Sequence, residues 1–266
     1  MPSIRSGGSV RVERVGPLAT VLFDHPERRN AISLGMWEGL LEACQELHAD
    51  VELRCVIVRG AGEQAFVSGA DISEFSTVRD SASAERDYAA LSGRAFAALA
   101  GLPVPTVALI HGYCVGGGVA LSLACDLRYA ADDAVFAIPA ARLGLGYGLE
   151  GVRALLHLVG PARAKEVLFT ARRYDAGEAL EMGLIDRIFQ KSELDAGVTR
   201  EVQTMAENAP LTLRAVKLAV REALRDGPDR DLGAVAKAVE ACFESEDYRE
   251  GVRAFLEKRR PRFRGR

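Results

Sequence analysis

No apolar stretch in this 266-residue chain approaches the roughly 20 residues that a bilayer-spanning helix requires. Residues 1–8 hold no apolar core of signal-peptide length, so the expectation is a cytoplasmic protein that does not enter a membrane. Neither sign of charge dominates: 34 basic against 37 acidic residues leave a net charge of −3, which excludes a general attraction to nucleic acid or to an anionic surface. An anionic ligand would need local basic groups, which Arg28, Arg29 and residues 258–260 can supply. Cysteine is sparse as well. Cys44, Cys55, Cys114, Cys125 and Cys242 are odd in number and form no CxxC or Cys/His spacing, so neither a disulfide framework nor a metal site is expected. Each sits among apolar residues and reads as a buried, reduced thiol acting as a small hydrophobe.

What is present is an ordinary globular composition, 48% hydrophobic and 27% charged, long enough for one large α/β domain or one domain with a small appendage. Residues 10–15 and 18–24 read as strands, the second closed by a His25-Pro26 turn. Ser33 has the character of an N-cap, followed by Leu34, Trp37, Leu40, Leu41, Cys44 and Leu47 at helical spacing. Short strands are predicted at 55–58, 65–67, 106–110, 127–130 and 135–138. A helix over about 82–100 carries Leu91, Ala95 and Leu99 on one face and stops at Pro103 and Pro105. This alternation implies parallel crossovers packed on a sheet. Beyond Pro161, a first-turn proline, helices are predicted at 161–169, 176–182, 192–207, 211–225, 231–244 and 246–258, with a single strand at 184–189. Residues 1–200 read as the α/β core and 201–266 as a helical C-terminal region, suited either to subunit contacts or to packing on itself.

The chemically informative segments are Phe66-Val67-Ser68-Gly69-Ala70-Asp71-Ile72 and His111-Gly112-Tyr113-Cys114-Val115-Gly116-Gly117-Gly118. The second places a glycine run between a strand and a helix, where unpaired N–H groups and the helix dipole favour negative charge. It lacks the Gly-Lys-Ser/Thr ending of a phosphate loop and the spacing of a dinucleotide fingerprint. Three readings of the run alone stay open: a phosphate site, a cradle for a developing oxyanion, or close packing of helix on strand.

Together the two segments resemble the enoyl-CoA hydratase/isomerase (crotonase) superfamily. The resemblance extends over nearly the whole chain: through His25-Pro26-Glu27-Arg28-Arg29-Asn30-Ala31-Ile32 upstream, Cys125-Asp126-Leu127-Arg128 and Gly183-Leu184-Ile185 in the middle, and Ala254-Phe255-Leu256-Glu257-Lys258-Arg259 at the end. It implies an α/β fold, a spiral of ββα units with a helical C-terminal oligomerisation region, assembled as a homotrimer or dimer of trimers. It also implies an acyl-CoA thioester as ligand, with coenzyme A entering as part of the substrate and no separate cofactor or metal. By resemblance, the backbone N–H groups of Ala70 and Gly117 bind the thioester oxygen. Glu27, Arg28 and Arg29 lie along the CoA nucleotide, and Ser68, Asp71, Ile72 and Ser73 lie beside its adenine and pantetheine arm. Lys258 reaches CoA phosphates with Phe255 close by, unless it is a solvated basic tail.

The sequence departs from a hydratase of this family at the two positions where the resemblance implies glutamates. Ala120, three residues after Gly117, and Ala140, directly after Pro139, stand there instead. Hydration needs a base to activate water and an acid to protonate carbon, and alanine provides neither. Leu143-Gly144-Leu145-Gly146-Tyr147 resembles the corresponding stretch of methylmalonyl-CoA decarboxylase, which places Tyr147 facing the acyl group. The alternative is a Tyr147 ring packed with its OH on a backbone carbonyl. Glu150 reads either as a lone acid/base or as a solvent-facing glutamate in a first helical turn. Cys114 has no base partner, His111 reads as a core histidine satisfied by backbone groups, and His157 carries no motif. Three functions follow as expectations: a lyase or isomerase working through a thioester enolate, most concretely a decarboxylase of a malonyl-type acyl-CoA; a hydratase or isomerase with a non-standard site; and a catalytically silent acyl-CoA-binding protein.

Overall fold

The computed structural model describes residues 7–71 and 81–266. Strands β1 (Ser9–Val15) and β2 (Leu18–Asp24) form an antiparallel hairpin, after which helix α1 (Leu34–Ala49) crosses to β3 (Cys55–Gly60). Two further turns of the chain follow one plan. β3 leads to β4 (Ala65–Val67) and helix α2 (Ala82–Ala100); β5 (Thr106–Ile110) leads to β6 (Tyr113–Val115) and helix α3 (Gly117–Leu123). β7 (Leu127–Ala131) then leads to β8 (Val135–Ala137) and helices α4 (Ala140–Leu143) and α5 (Leu149–Thr170). The first strand of each pair joins a larger sheet of order β1-β2-β3-β5-β7-β10, and the second a smaller sheet, β4-β6-β8-β9, with β9 at Tyr174–Asp175 and β10 at Arg187–Phe189. From β2 to β10 the larger sheet is parallel. The expected spiral of ββα units is therefore what the chain builds.

The strand sequences explain the layering. β5 is buried at every position and β3 at all but Arg59, as continuous apolar runs must be when both faces of a parallel sheet are covered. One face packs on α1 and α2 through Trp37, Leu40, Leu47, Ala95 and Leu99. Helix α7 (Leu194–Ala206) covers part of the other, setting Leu194, Val198 and Val202 against Cys55, Ile57, Val107 and Leu109. Between β9 and β10 lies α6 (Ala176–Glu181), closed by an Asp175–Glu178 capping box. Helices α8 (Pro210–Ala223), α9 (Leu232–Glu244) and α10 (Glu246–Leu256) complete the chain.

Several expectations need correction. The strand predicted at 184–189 begins only at Arg187, because the Leu184 N–H turns back to the Ala179 carbonyl (2.8 Å) and closes the end of α6. Helix α5 starts a dozen residues before Pro161. Gly160 (φ 74°, ψ 171°) breaks it, and Pro161 opens its second half. Ser33 occupies the N-cap position of α1 but does not cap with its side chain, whose hydroxyl donates to the Gly7 carbonyl (2.5 Å). His111 is buried but not satisfied by backbone. Its Nε2 pairs with Asp195 Oδ2 at 2.6 Å, Arg59 holds the other Asp195 oxygen, and no described group meets Nδ1. The thiols of Cys44, Cys55, Cys114 and Cys125 are buried, and desolvation raises the pKa of each; Cys44, Cys55 and Cys125 reach about 12. Among the described residues no helix is long and apolar enough to cross a membrane.

Two glycines of the same residue type give opposite predictions. A Cβ on Gly118 would lie 2.2 Å from the Val67 carbonyl oxygen, so Gly118→Ala must push α3 off β4 and cost about 3 kcal/mol. Gly93, exposed inside α2 with nothing near its Cβ position, should accept alanine and gain about 0.5–1 kcal/mol. Urea unfolding midpoints of the two variants check both signs. A third prediction concerns acid. The hydrogen bond from His111 and the Arg59 charge hold the Asp195 carboxyl down to about 2. A depressed carboxylate contributes stability above its unfolded-state value, about pH 4, and loses it as pH falls through the folded value. The stability advantage of the native chain over Asp195→Asn should be constant above about pH 4 and shrink towards about pH 2, read as the difference in urea midpoints across that range.

Candidate active site

Two glycine turns leave the same edge of the smaller sheet. The first follows β4, where Gly69 takes φ 119° and Ile32 lies alongside as an isolated parallel bridge. Ile32 donates to the Gly69 carbonyl (2.8 Å) and its own carbonyl accepts from the Asp71 N–H (2.9 Å). In a parallel bridge one residue bonds to the two neighbours of its partner, so the N–H of Ala70 points to the other side. The second turn follows β6. Gly116 (φ 54°, ψ −111°) donates to the Ala137 carbonyl (2.8 Å), and Gly117 is the first residue of α3, where an N–H has no acceptor within the helix. A Cβ on Gly117 would lie 3.8 Å from the Ala70 nitrogen and 3.9 Å from the Gly69 carbonyl carbon, so the turns face each other across a gap that one side-chain carbon would fill. Among the described residues no turn, loop or cap hydrogen bond takes either N–H. What results is a pair of neighbouring backbone donors at a helix start, suited to an oxygen that carries negative charge.

Gly112 and Gly118 set the backbone behind these donors. A Cβ at either position would sit about 2 Å from a carbonyl oxygen, of Gln64 and Val67 respectively. Close packing and donor geometry, two of the readings open for the glycine run, are thus divided among different glycines.

The first turn is also tied to residues 26–30. Asp71, only 7% exposed, takes an amino group of Arg28 on both oxygens (2.8 and 2.9 Å). Ser68 bonds the Arg29 carbonyl through its N–H (3.1 Å) and the Arg28 carbonyl through its hydroxyl (3.2 Å). Arg29 and Asn30 both adopt positive φ. Asn30 pays for that conformation with its buried side chain, which accepts from the His25 N–H and donates to the carbonyls of Ala61 and Ala65. Glu27 is exposed beside His25 (3.4 Å). The guanidinium of Arg29 lies 4.9 Å over the Tyr113 ring. With Gln64, Lys191 and Asp133 these two residues line an open pocket of about 370 Å³ at the edge where β4, β6 and β8 begin, away from the glycine turns. Ile72 and Ser73 lie outside the described residues.

Ala120 follows Gly117 by one helical turn, half-buried on α3. Ala140 opens α4 directly after Pro139, whose Cδ would be 4.0 Å from a Cβ on Gly116. Both alanines therefore flank the second turn. Tyr147 is largely buried against the main core, and among the described residues its phenolic oxygen has no hydrogen-bond partner. The alternative in which its OH rests on a backbone carbonyl is not realised. Desolvation raises its pKa, which keeps the phenol protonated. Its ring fills the space left by Gly151, where a Cβ would come within 2.8 Å of Cε1. Glu150 is exposed in the first turn of α5, and Phe255 (84% exposed) and Lys258 (φ 53°) are exposed at the end of α10, which packs on α9.

Sequence reasoning singled out Ala70 and Gly117 and said nothing of what holds the two turns. Ile32 entered only as part of a motif and Trp37 only as one apolar position on a helix face. Asn30 could have been found from its type, since asparagine tolerates the left-handed region and can bond backbone on both sides.

Comparisons with known proteins place the whole chain in a family. The enoyl-CoA hydratase/isomerase family model matches residues 13–266. A short-chain-enoyl-CoA hydratase of Clostridium acetobutylicum is 32% identical, over 95% of this chain and 96% of its own. A peroxisomal Delta(3,5)-Delta(2,4)-dienoyl-CoA isomerase of Arabidopsis thaliana is 33% identical over 91% of each. The crystal structure of an enoyl-CoA hydratase/carnithine racemase from Magnetospirillum magneticum superposes with a TM-score of 0.92 at 35% identity, covering 97% of this chain and 96% of that one. A sequence match over nearly the whole length, on the same fold, makes this chain a member of the enoyl-CoA hydratase/isomerase family.

Proposed function

We propose that the protein acts on an acyl-CoA thioester whose carbonyl oxygen is held by the N–H groups of Ala70 and Gly117, and that the reaction runs through the enolate this pair stabilises. The observation that carries the reading is that the two turns face each other closely, with neither donor taken by a turn, loop or cap hydrogen bond among the described residues. Donors fixed before the reaction act where charge develops and are worth about 3–4 kcal/mol each. Arg28 and Lys258 supply positive charge for the CoA phosphates, with Glu27, Ser68, Asp71 and Phe255 along the rest of the CoA arm; the Arg29 guanidinium, over Tyr113 at the other end of the strands, would have to turn to join them. Exposed apolar side chains on α8 to α10, among them Val220, Val239, Phe243 and Phe255, suit burial in a homotrimer or dimer of trimers.

The finer assignment is decarboxylation of a malonyl-type acyl-CoA. It is supported by alanine at 120 and 140, the positions where family resemblance puts the acid and base of hydration. Loss of CO₂ breaks the bond from the α-carbon to the carboxylate and leaves its electron pair in the enolate, so no base is required. The α-carbon then takes up a proton. Tyr147, protonated and without a partner, has the right form to orient the carboxylate or deliver that proton. A second reading, hydration or isomerisation of an enoyl-CoA, is favoured by the activities named for the relatives. It would draw on Glu150, which is exposed in the single chain, or on Tyr147 with an ordered water.

Turnover of methylmalonyl-CoA against crotonyl-CoA separates the two. CO₂ release without hydration is the expected result; rapid crotonyl-CoA hydration would overturn the decarboxylase assignment. Gly117→Pro removes one donor at a helix position that accepts proline and should lower kcat by about 10²- to 10³-fold. Tyr147→Phe should lower it by about 10²-fold if the phenol delivers the proton, while Glu150→Gln leaves it unchanged. Undiminished turnover in a folded Gly117→Pro variant would refute the enolate mechanism.

A further inference from the structure

The two donors share a support that belongs to neither turn. Trp37, in the first turn of α1, is 1% exposed, and its ring carbon Cζ2 lies 3.9 Å from the point where a Cβ on Gly117 would stand. The same helix start carries Ile32, whose bridge turns the Ala70 N–H outward. Thus one donor is set by Ile32, two residues before α1, and the other faces a ring on α1 across the space that a single side-chain carbon would fill. The indole is fixed from the far side. Its Nε1–H donates to the Tyr88 hydroxyl on α2 at 2.9 Å, and the rings of Tyr88 and Phe96 meet it edge-on at 6.5 and 5.0 Å. A tryptophan buried only for its volume would need a partner for its N–H and could take it from any acceptor. Here the acceptor is a side chain on a second helix, so the lateral position of the ring, and with it the floor under Gly117, depends on where α2 lies.

We infer that Trp37 and Tyr88 are positioning residues for the paired N–H groups of Ala70 and Gly117, with the indole–phenol hydrogen bond fixing where the ring stands beside the second turn. This rests on the enolate reading given above. Neither side chain is placed on the reacting atoms. Removing the phenol oxygen leaves a buried indole N–H without its acceptor, and the ring is then free to shift against Gly117. A donor pair spaced for a charged oxygen loses more by such a shift than a binding surface for CoA does, because the gain is concentrated in the charged species.

The test uses acetoacetyl-CoA, a 3-oxoacyl thioester whose enolate absorbs in the near ultraviolet, and butyryl-CoA, which is held without appreciable enolate. The native chain should raise the enolate share of bound acetoacetyl-CoA above that of the free thioester, and Gly117→Pro should abolish the rise. Tyr88→Phe should lower the enolate-to-keto ratio about fivefold, the factor corresponding to one neutral hydrogen bond, while affinity for butyryl-CoA is unchanged. Trp37 is the single tryptophan of the sequence, so its emission maximum reports the bond directly and should move in Tyr88→Phe. Trp37→Phe is the second variant and should lower the ratio in the same way. No enolate enrichment by the native chain would overturn the enolate reading and this inference with it. Enrichment that Gly117→Pro abolishes but both phenylalanine variants retain would overturn the positioning role alone. So would an unmoved emission maximum, or an equal loss of butyryl-CoA affinity, which marks a general structural role.

Discussion

The single-residue bridge between Ile32 and the Gly69–Asp71 segment is the constraint on which the site depends. Two backbone hydrogen bonds, each worth about 1 kcal/mol net, decide which way one peptide faces. If Ile32 slipped by one residue, the Ala70 N–H would point into the protein and its neighbours' would point out. Ile32 is held in register from both sides. Upstream, Asn30 anchors a left-handed pair of residues to three separate backbone groups; downstream, α1 begins within two residues and buries Met36, Trp37 and Leu40. The ion pair between Arg28 and the buried Asp71 closes the same loop from outside the bridge.

The order of strands explains why the second donor arrives at the same place. In a parallel sheet all chain turns leave at one edge, and β4, β6 and β8 deliver Gly69, Gly116 and Pro139 side by side. Helix α3 then starts where its unpaired N–H groups face the first turn. Nothing in this requires a particular side chain at Ala70 or Gly117. On the function proposed above, carbonyl polarisation would come from the backbone alone, and the chemistry that follows would be left to side chains.

How much of this was legible in the sequence follows from the length scale of each signal. Helix α2 and its buried positions Ala95 and Leu99 emerge from periodicity, because nineteen residues repeat one pattern several times. Strand β6 does not, since three residues between Gly112 and Gly116 are too few for any period, and β9 is shorter still. The glycine run was visible as a turn, yet its members differ in ways composition does not encode. Gly112 and Gly118 are required by a carbonyl about 2 Å from their Cβ positions, Gly116 by its positive φ, and Gly117 meets only ordinary contacts. The pairing of His111 with Asp195 joins residues 84 apart across two elements, and no local pattern announces it. Trp37 is the same case: its helical spacing says that it is buried, and only the packing of α2 says against what.

The environment of the second turn bears on which reaction the fold was put to. A carboxylate at 120 or 140 would stand beside the donors, at positions that the helix and the Pro139 turn already aim. With alanine there, neither position offers a base, and a base drawn from the exposed start of α5 would have to carry a hydrated carboxylate inward. Stripping water from such a group raises its pKa and makes the move unfavourable unless a partner receives it. Tyr147 needs no such move. It is already partly buried and neutral, and its oxygen is unclaimed by any described group. A protonated phenol cannot begin a reaction that starts with proton removal, whereas it is the correct protonation state for one that ends with proton delivery. That is the physical ground on which the proposed base-free route to the enolate is preferred to one that begins with proton abstraction.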